Sequence, residues 1–316
     1  MSISVLDAST LGDDLSFDEL FALGKTTIYQ TTDVNEVENH IGDSDTIIVN
    51  KIKLNESNLK TASNLKLICV AATGYDNIDI DYCRQNGIAV CNVVAYSTHS
   101  VAQVTVAMAL SLSTNLTEFS QFVNTSDYSN SGIANRLTPV YHELAGKIWG
   151  IIGMGNIGKQ VAKIATALGC QVVGYRRNPD KDYTYLSLEE LCKTSDIISV
   201  HLPLSDDTHG LINGDIISLM KKNAIFINVA RGAITDEEAL ANALINGKIS
   251  GLGIDVYSVE PFPPSHPFQK LLGNPRVCLT PHMAWGAFES RKRCLDEIIL
   301  NIKAFYSGQI RNRLDI

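Results

Sequence analysis

The sequence has no clustered cysteines and no strongly basic segment. Its 7 cysteines are scattered over 316 residues without a CxxC pair, so we predict reduced thiols and no metal site. No run of lysines or arginines is long enough to attract a phosphate backbone, and the net charge is -8. We therefore expect no nucleic-acid partner.

The chain also lacks a long uncharged apolar segment. Its most apolar stretch, 101–112, contains Gln103 and is shorter than the roughly 20 residues that a membrane helix needs. The N-terminal region carries acidic residues such as Asp13 and Asp14 and has no basic head, so we expect no signal peptide. These features predict a cytoplasmic protein without a membrane partner.

Short β-branched runs alternate with amphipathic stretches, which predicts parallel sheets flanked by helices. With 45% hydrophobic residues, the chain can bury two cores. Long helices are predicted from about Ser97 and over Ala287–Tyr306, and capping boxes at Ser187-x-x-Glu190 and Thr235-x-x-Glu238. The predicted strands are Ile3–Ala8, Thr26–Gln30, Thr46–Val49 and Leu67–Ala71, followed by a second series at Ile148, Val172–Tyr175, Ile197–Val200, Ala224–Val229, Leu252–Val256 and Val277–Leu279.

A glycine-rich turn lies between a predicted buried strand and a predicted helix. Residues 151–158 read Ile-Ile-Gly-Met-Gly-Asn-Ile-Gly, which places Gly153, Gly155 and Gly158 at the GxGxxG spacing. Such glycines allow a tight turn, close approach of the backbone to a pyrophosphate and close helix packing, while the helix N-terminus supplies N–H donors. The motif predicts dinucleotide binding, although an incidental glycine turn would have the same letters.

The next strand ends at Arg176 and Arg177, where an NAD site would carry an acidic residue that accepts hydrogen bonds from the ribose hydroxyls. Arginine cannot accept them, but two guanidinium groups can bind a 2′-phosphate. We therefore predict that NADP is favoured and that NAD remains possible. The alternative is a pair of solvated surface arginines.

Three polar groups follow strands of the second series. They are Arg231 in Asn-Val-Ala-Arg-Gly, Glu260 before Pro261, and His282 in Thr-Pro-His. Singly, these residues could be a surface ion pair, a turn cap and a core histidine. Together they supply what reduction of a 2-keto acid needs: a cation for the carboxylate and a proton donor that a neighbouring carboxylate keeps charged. We predict these residues to be the catalytic set.

These motifs resemble the D-isomer-specific 2-hydroxyacid dehydrogenase family, and the resemblance runs through nearly the whole chain. It implies that Arg231 binds the substrate carboxylate and carbonyl, that His282 is the acid and base, and that Glu260 orients it. It also implies that the backbone N–H groups of Thr73 and Gly74, in Ala-Thr-Gly-Tyr-Asp-Asn-Ile-Asp, bind the carboxylate. An ordinary glycine turn is the alternative for that loop. The cofactor contacts implied in the same way are Gly153, Gly155, Asn156, Ile157, Gly158, Arg176, Arg177, His201, Pro203, Thr208, Val229, Ala230 and Asp255, the last at the nicotinamide amide.

The resemblance further implies an architecture of two Rossmann-like or flavodoxin-like α/β domains. A smaller catalytic domain, 1–98 plus 287–316, would receive the dinucleotide-binding domain, 99–286, as an insertion. Members of the family are generally homodimers, so a homodimer is expected here.

Two segments, 95–103 and 143–147, look most like the glycerate dehydrogenase and hydroxypyruvate reductase branch. We therefore expect hydride transfer between NAD(P)H and a 2-keto acid such as hydroxypyruvate or glyoxylate, with pyruvate-like and branched keto acids as alternatives. Formate dehydrogenase is disfavoured because its reaction needs no proton transfer, and phosphoglycerate dehydrogenase because the first domain has few cations. Corepressors that sense dinucleotides resemble the same family, and they remain the non-enzymatic alternative.

Overall fold

A computed structural model describes all residues of the chain, 1–316, and divides it into two compact units. One unit comprises Met1–Ser97 with Gly286–Ile316, and the other comprises Thr98–Trp285. Both are built on parallel sheets, which confirms the predicted α/β class. None of the helices has the length and apolar character that crossing a bilayer requires.

The first unit contains a five-stranded parallel sheet in the order β2-β1-β3-β4-β5. Its core is formed by apolar side chains of the strands, such as Ile47 and Val49, packed against Val37 and Leu59 of the helices. The elements are β1 (Ser2–Val5), α1 (Asp18–Leu23), β2 (Lys25–Ile28), α2 (Val37–Ile41), β3 (Thr46–Val49), α3 (Glu56–Leu59), β4 (Leu67–Val70), α4 (Ile80–Gln85) and β5 (Ala89–Cys91).

The second unit contains a seven-stranded parallel sheet in the order β12-β11-β10-β9-β6-β7-β8. Its elements are α5 (Thr98–Thr114), α6 (Leu116–Asn124), α7 (Asp127–Ser131), β6 (Ile148–Ile152), α8 (Asn156–Ala167), β7 (Gln171–Tyr175), β8 (Thr184–Tyr185), α9 (Leu188–Thr194), β9 (Ile197–Val200), α10 (Gly214–Leu219), β10 (Ile225–Asn228), α11 (Glu237–Ile245), β11 (Gly251–Ile254) and β12 (Val277–Leu279).

This sheet is buried on both faces. Side chains alternate along a strand, so Ile225 and Ile227 of β10 pack with α5 and α8, whereas Phe226 packs with α9, α10 and α11. Strands covered on both faces read as continuous apolar runs, which is why the sequence pattern identified them. Burial of the sheet faces leaves only its edges for chemistry.

The last helix, α12 (Phe288–Tyr306), belongs to the first unit. Tyr306 Oη lies 2.9 Å from Thr46 Oγ1 of β3, and Asn301 Nδ2 donates to the carbonyl oxygen of Asn92 at 2.9 Å. The two ends of the chain therefore form one unit.

The two predicted capping boxes have different outcomes. Ser187 caps α9, since its Oγ accepts a hydrogen bond from Glu190 N–H. The box at Thr235 is wrong, because the N-cap of α11 is Asp236, whose side chain accepts from Ala239 N–H. Thr235 Oγ1 donates instead to the carbonyl oxygen of Gly232.

Candidate active site

Three neighbouring strands carry the predicted catalytic residues at one edge of the second sheet. Strands β10, β11 and β12 are adjacent and parallel, with Asn228 opposite Ile254 and Ile254 opposite Leu279. The segments that follow them contain Arg231, Glu260 and His282 respectively. Because parallel strands end at the same edge of the sheet, all of these residues emerge on the side where open α/β sheets bind ligands.

Glu260 and His282 form a carboxylate–imidazole pair. His282 Nδ1 lies 2.6 Å from Glu260 Oε2, and the other carboxylate oxygen accepts Tyr257 N–H at 2.9 Å. The pairing engages Nδ1 and leaves Nε2 for a reacting group. The two side chains are half-buried, with 20% of the His282 side chain and 32% of the Glu260 side chain exposed.

The loop that carries His282 is anchored by Asp255. Asp255 Oδ1 accepts hydrogen bonds from Thr280 Oγ1 and Met283 N–H, and Oδ2 accepts one from Ala284 N–H. Burial raises the pKa of Asp255 above the usual value, while these hydrogen bonds and the nearby His282 act in the opposite direction. The backbone N–H of His282 donates to the Asp255 carbonyl oxygen at 2.8 Å. Asp255 thus supports the loop, a role that the sequence analysis missed although a buried aspartate directly after a strand signals one.

Arg231 directly follows a turn held by Asn228. Asn228 Oδ1 accepts Ala230 N–H, and its Nδ2 donates to the carbonyl oxygen of Arg231, both at 2.9 Å. The guanidinium donates from Nη1 to the carbonyl oxygen of Ala230 at 2.8 Å. These contacts fix the point at which the arginine leaves the sheet.

Gly232 brings this turn against the segment that leads to Glu260. A Cβ atom on Gly232 would lie 2.0 Å from the carbonyl carbon of Tyr257 and 2.2 Å from the nitrogen of Ser258. Only glycine permits such an approach of two backbones. The segment after β10 is therefore in direct contact with the segment after β11.

The glycine-rich turn fits a dinucleotide. Gly153 has φ +102°, and a Cβ there would lie 2.7 Å from the backbone of His201, while a Cβ on Gly158 would lie 2.2 Å from the Gly153 carbonyl oxygen. Gly155 caps α8 without any side-chain hydrogen bond, and the space that its Cβ would fill is open. The first N–H groups of a helix have no partner within the helix, and together with the open space at Gly155 they suit a pyrophosphate.

Comparison with known proteins agrees with this geometry. The family model described as "D-isomer specific 2-hydroxyacid dehydrogenase, NAD binding domain" matches residues 106–284. The chain is 36% identical to hydroxypyruvate reductase of Blautia hydrogenotrophica over 98% of both chains. The chain belongs to the D-isomer specific 2-hydroxyacid dehydrogenase family.

Solved structures show the same fold in other dehydrogenases and reductases. The D-lactate dehydrogenase of Aquifex aeolicus, complexed with NAD and lactic acid, has a TM-score of 0.87 and 34% identity, covering 98% of this chain and 96% of that one. An acyclic imino acid reductase in complex with NADPH and D-arginine has a TM-score of 0.87 and 28% identity, covering 99% and 100%. Membership of the family makes this chain an NAD(P)-dependent oxidoreductase with a nicotinamide dinucleotide as its cofactor.

The two arginines at the end of β7 have carboxylate partners. Arg176 Nη1 lies 2.9 Å from Asp180 Oδ2, and Arg177 pairs with Asp207. Asp180 also contacts Lys159, and that ammonium group holds the pKa of Asp180 near 2. The cations stand at the position that the sequence analysis indicated, and the aspartates are partners that it did not foresee.

The other predicted cofactor residues line segments next to the glycine turn or the catalytic loops. His201 directly follows β9, and its Nε2 is 3.0 Å from Ser199 Oγ while its Nδ1 is out of contact with solvent and has no partner. Burial lowers the pKa of His201 to about 3, so the ring is neutral. Thr208 Oγ1 donates to the carbonyl oxygen of Pro203 and closes that turn. Val229 and Ala230 are buried in the turn before Arg231.

Thr73 and Gly74 lie in the first unit, after β4. Thr73 Oγ1 donates to the carbonyl oxygen of Val93, and Asn92 Nδ2 donates to that of Thr73, both at 2.8 Å. The hydroxyl group of Thr73 is therefore occupied in holding its loop to the segment that follows β5. A role of this loop in carboxylate binding remains a prediction that depends on its backbone N–H groups.

Proposed function

We propose that this chain reduces a small 2-keto acid of the hydroxypyruvate or glyoxylate type to its 2-hydroxy acid. The observation that carries the proposal is the 2.6 Å contact between Glu260 and His282, at the same sheet edge as Arg231. A carbonyl reduction needs a positioned proton donor, and this pair is built as one. The relative of Blautia hydrogenotrophica, which carries the name hydroxypyruvate reductase, points to the same substrates.

The roles of the residues follow from their chemistry. Arg231 binds the substrate carboxylate through two parallel N–H donors, and Thr73 and Gly74 are proposed as further carboxylate binders through their backbones. His282 Nε2 donates a proton to the carbonyl oxygen, while Glu260 holds Nδ1 and stabilises the charged imidazolium before transfer. The dinucleotide, once bound, supplies the hydride. In the oxidative direction, the neutral His282 removes the hydroxyl proton.

We propose that residues of the glycine turn, with Asn156 and Ile157, hold the pyrophosphate, and that NADP is favoured over NAD. Arg176 stands where an NAD enzyme has an acidic residue. Each charge-assisted hydrogen bond from its guanidinium group would stabilise a bound 2′-phosphate by about 1.5–3 kcal/mol. Arg176 and Arg177 would exchange their carboxylate partners, Asp180 and Asp207, for that phosphate. His201, Pro203, Thr208, Val229, Ala230 and Asp255 are proposed to border the rest of the cofactor.

We further propose that the protein is a homodimer of the cytoplasm, where pools of reduced nicotinamide nucleotides are found. Residues 116–141 expose several large apolar side chains, among them Leu116, Leu137 and Val140, whose exposed fractions are 60%, 74% and 72%. Exposed apolar patches of this kind mark protein interfaces. Light scattering after gel filtration should give twice the mass of the chain, and Leu137→Glu with Val140→Glu should give the mass of one chain.

A panel of 2-keto acids assayed with NADPH and with NADH tests the proposed reaction. Steady oxidation of the cofactor, fastest with hydroxypyruvate or glyoxylate, is the expected result. Tight cofactor binding without turnover of any keto acid would refute it and favour a dinucleotide-sensing binding protein. Parallel assays with an added amine separate keto-acid from imine reduction, since an imino acid reductase shares the fold.

A further inference from the structure

A second carboxylate–imidazole pair lies buried behind the first. Glu237, in the first turn of α11, is 8% exposed, and His266 is 6% exposed. His266 Nε2 lies 3.0 Å from Glu237 Oε2. A buried charge is costly unless it is paired and hydrogen-bonded, so this pair requires a reason to be there.

The protonation of His266 follows from its neighbours. His266 Nδ1 accepts the backbone N–H of Phe268 at 3.2 Å, so this nitrogen carries no proton. The proton of the neutral ring is therefore on Nε2 and is donated to Glu237. The ring also packs between Phe262 and Phe268, with centroids 4.9 and 5.0 Å away. His266 is thus fixed in one orientation and one tautomer.

The Glu237 carboxylate also accepts two hydrogen bonds from Ser258. Its Oε1 accepts the backbone N–H of Ser258 at 2.9 Å, and its Oε2 accepts the hydroxyl group of the same residue. On another side, the Tyr257–Ser258 peptide touches the Cα position of Gly232. This peptide is therefore held by a carboxylate and by a backbone that leaves no room for a side chain.

The clamped peptide leads directly to the catalytic pair. Tyr257 N–H donates to Glu260 Oε1, and Tyr257 Oη donates to the carbonyl oxygen of Thr280, each at 2.9 Å. Thr280 precedes the loop that carries His282. One residue, Tyr257, is thus bonded to the carboxylate that pairs with His282 and to the loop that holds its ring.

We propose that Glu237 and His266 are positioning residues, which hold the Tyr257–Ser258 peptide and thereby aim the Glu260 carboxylate at His282 Nδ1. The inference rests on the proposed function, because the catalytic work of His282 is part of it. Neither residue touches a reacting group in this scheme. Their effect passes through Tyr257, whose N–H group holds the Glu260 carboxylate.

The substitution Glu237→Gln removes one of the two acceptor oxygens. The three donors from Ser258 and His266 then compete for a single oxygen, and the new amide N–H groups face donors. We expect kcat to fall by roughly 10- to 100-fold, since a displacement of about 1 Å in a catalytic group can cost 100-fold. The KM of the keto acid and the Kd of the cofactor should change by less than about threefold, because neither is bound by Glu237.

Glu238→Gln is the matched control. Glu238 is the next residue on α11, is exposed and pairs at 3.0 Å with the exposed Lys270. Its substitution removes the same charge from the same helical turn without touching Ser258. It should leave kcat unchanged.

A double-mutant cycle with Glu260→Gln separates positioning from general damage to the fold. If Glu237 acts through Glu260, adding Glu237→Gln to Glu260→Gln should lower kcat by less than about threefold further. An equal fold-loss of kcat in both backgrounds would overturn the proposal. Should Glu237→Gln fail to fold, His266→Phe keeps an aromatic ring among the same neighbours and should lower kcat in the same non-additive way. Wild-type kcat in either folded variant also overturns it.

Nitrogen-15 NMR of the histidine side chains gives a test that needs no turnover. Glu237→Gln should move the Nδ1 signal of His282, whereas Glu238→Gln should leave it in place. An unmoved signal contradicts the positioning role even if no keto acid proves to be a substrate. A wild-type enzyme that reduces no keto acid contradicts the proposed function alone.

Discussion

Gly232 offers the sharpest test of how closely the segments around the active site are packed. In Gly232→Ala, the new Cβ would lie 2.0 Å from the Tyr257 carbonyl carbon and 2.2 Å from the Ser258 nitrogen. Carbon atoms in ordinary contact are about 3.5–4.0 Å apart, so the two backbones must separate by more than about 1 Å. Both neighbours are backbone atoms, which cannot rotate out of the way.

The displacement should affect stability and activity together. Overpacking of this kind costs typically about 1–3 kcal/mol, and urea unfolding should show a loss in that range. Because Gly232 follows Arg231 and touches the segment that leads to Glu260, the displacement also changes the distance between Arg231 and Glu260. We expect kcat/KM for the keto acid to fall by about 100-fold.

Gly214→Ala is the matched control for Gly232→Ala. Gly214 begins α10, and its Cβ would meet nothing nearer than Ala239 Cβ at 3.8 Å, an ordinary contact. This variant should keep the wild-type kcat/KM and should be as stable as the wild type or more so. Wild-type kcat/KM and stability in Gly232→Ala would refute the contact as described.

Three further predictions concern the proton donor, the cofactor and a buried histidine. His282→Ala should lower kcat by at least about 100-fold in steady-state assays while the cofactor Kd from fluorescence titration changes little, because the imidazole acts at the transition state; equal losses in both would contradict its role. Arg176→Asp with Arg177→Ala should shift the ratio of kcat/KM values from NADPH towards NADH, and an unchanged ratio would refute binding of the 2′-phosphate by these two arginines. Burial lowers the pKa of His201 in the folded state to about 3, whereas in the unfolded chain its pKa is the ordinary 6.5. The folded state therefore keeps this ring neutral at pH values where the unfolded chain already protonates it. The unfolded state thus binds more protons below the ordinary value, so stability falls as the pH falls. Between about pH 7 and pH 5 the loss from this group is about 2 kcal/mol. Urea unfolding of His201→Gln should lack that part of the loss, and an identical pH dependence would show that His201 is not the cause.

Much of the fold could be read from local patterns. The buried strands of the second sheet are continuous apolar runs, and the predicted positions for Ile197–Val200 and Val277–Leu279 match the observed strands. Strands β5 and β8 were not predicted, and the two residues of β8 are too few to show any periodicity. The order of the strands was not readable either, since it depends on which apolar surfaces pack together.

For the site, local sequence patterns predict which chemical groups are present and roughly where they follow the strands. The glycine turn can be recognised in the sequence because its three glycines and the following helix are local features. The residues Arg231, Glu260 and His282 could be proposed because each follows an apolar strand. The identities of the active-site groups could therefore be predicted from short stretches of sequence.

The way these groups are held depends on contacts between residues that are distant in the sequence. The contacts of Glu237 with Ser258 and His266 span 21 and 29 residues, and the pairing of Arg177 with Asp207 spans 30. Such partners are brought together by the order of the strands and the paths of the loops, for which neighbouring letters carry no periodic signal. The close approach at Gly232 arises in the same way, because a glycine in the sequence does not reveal which backbone will lie against it.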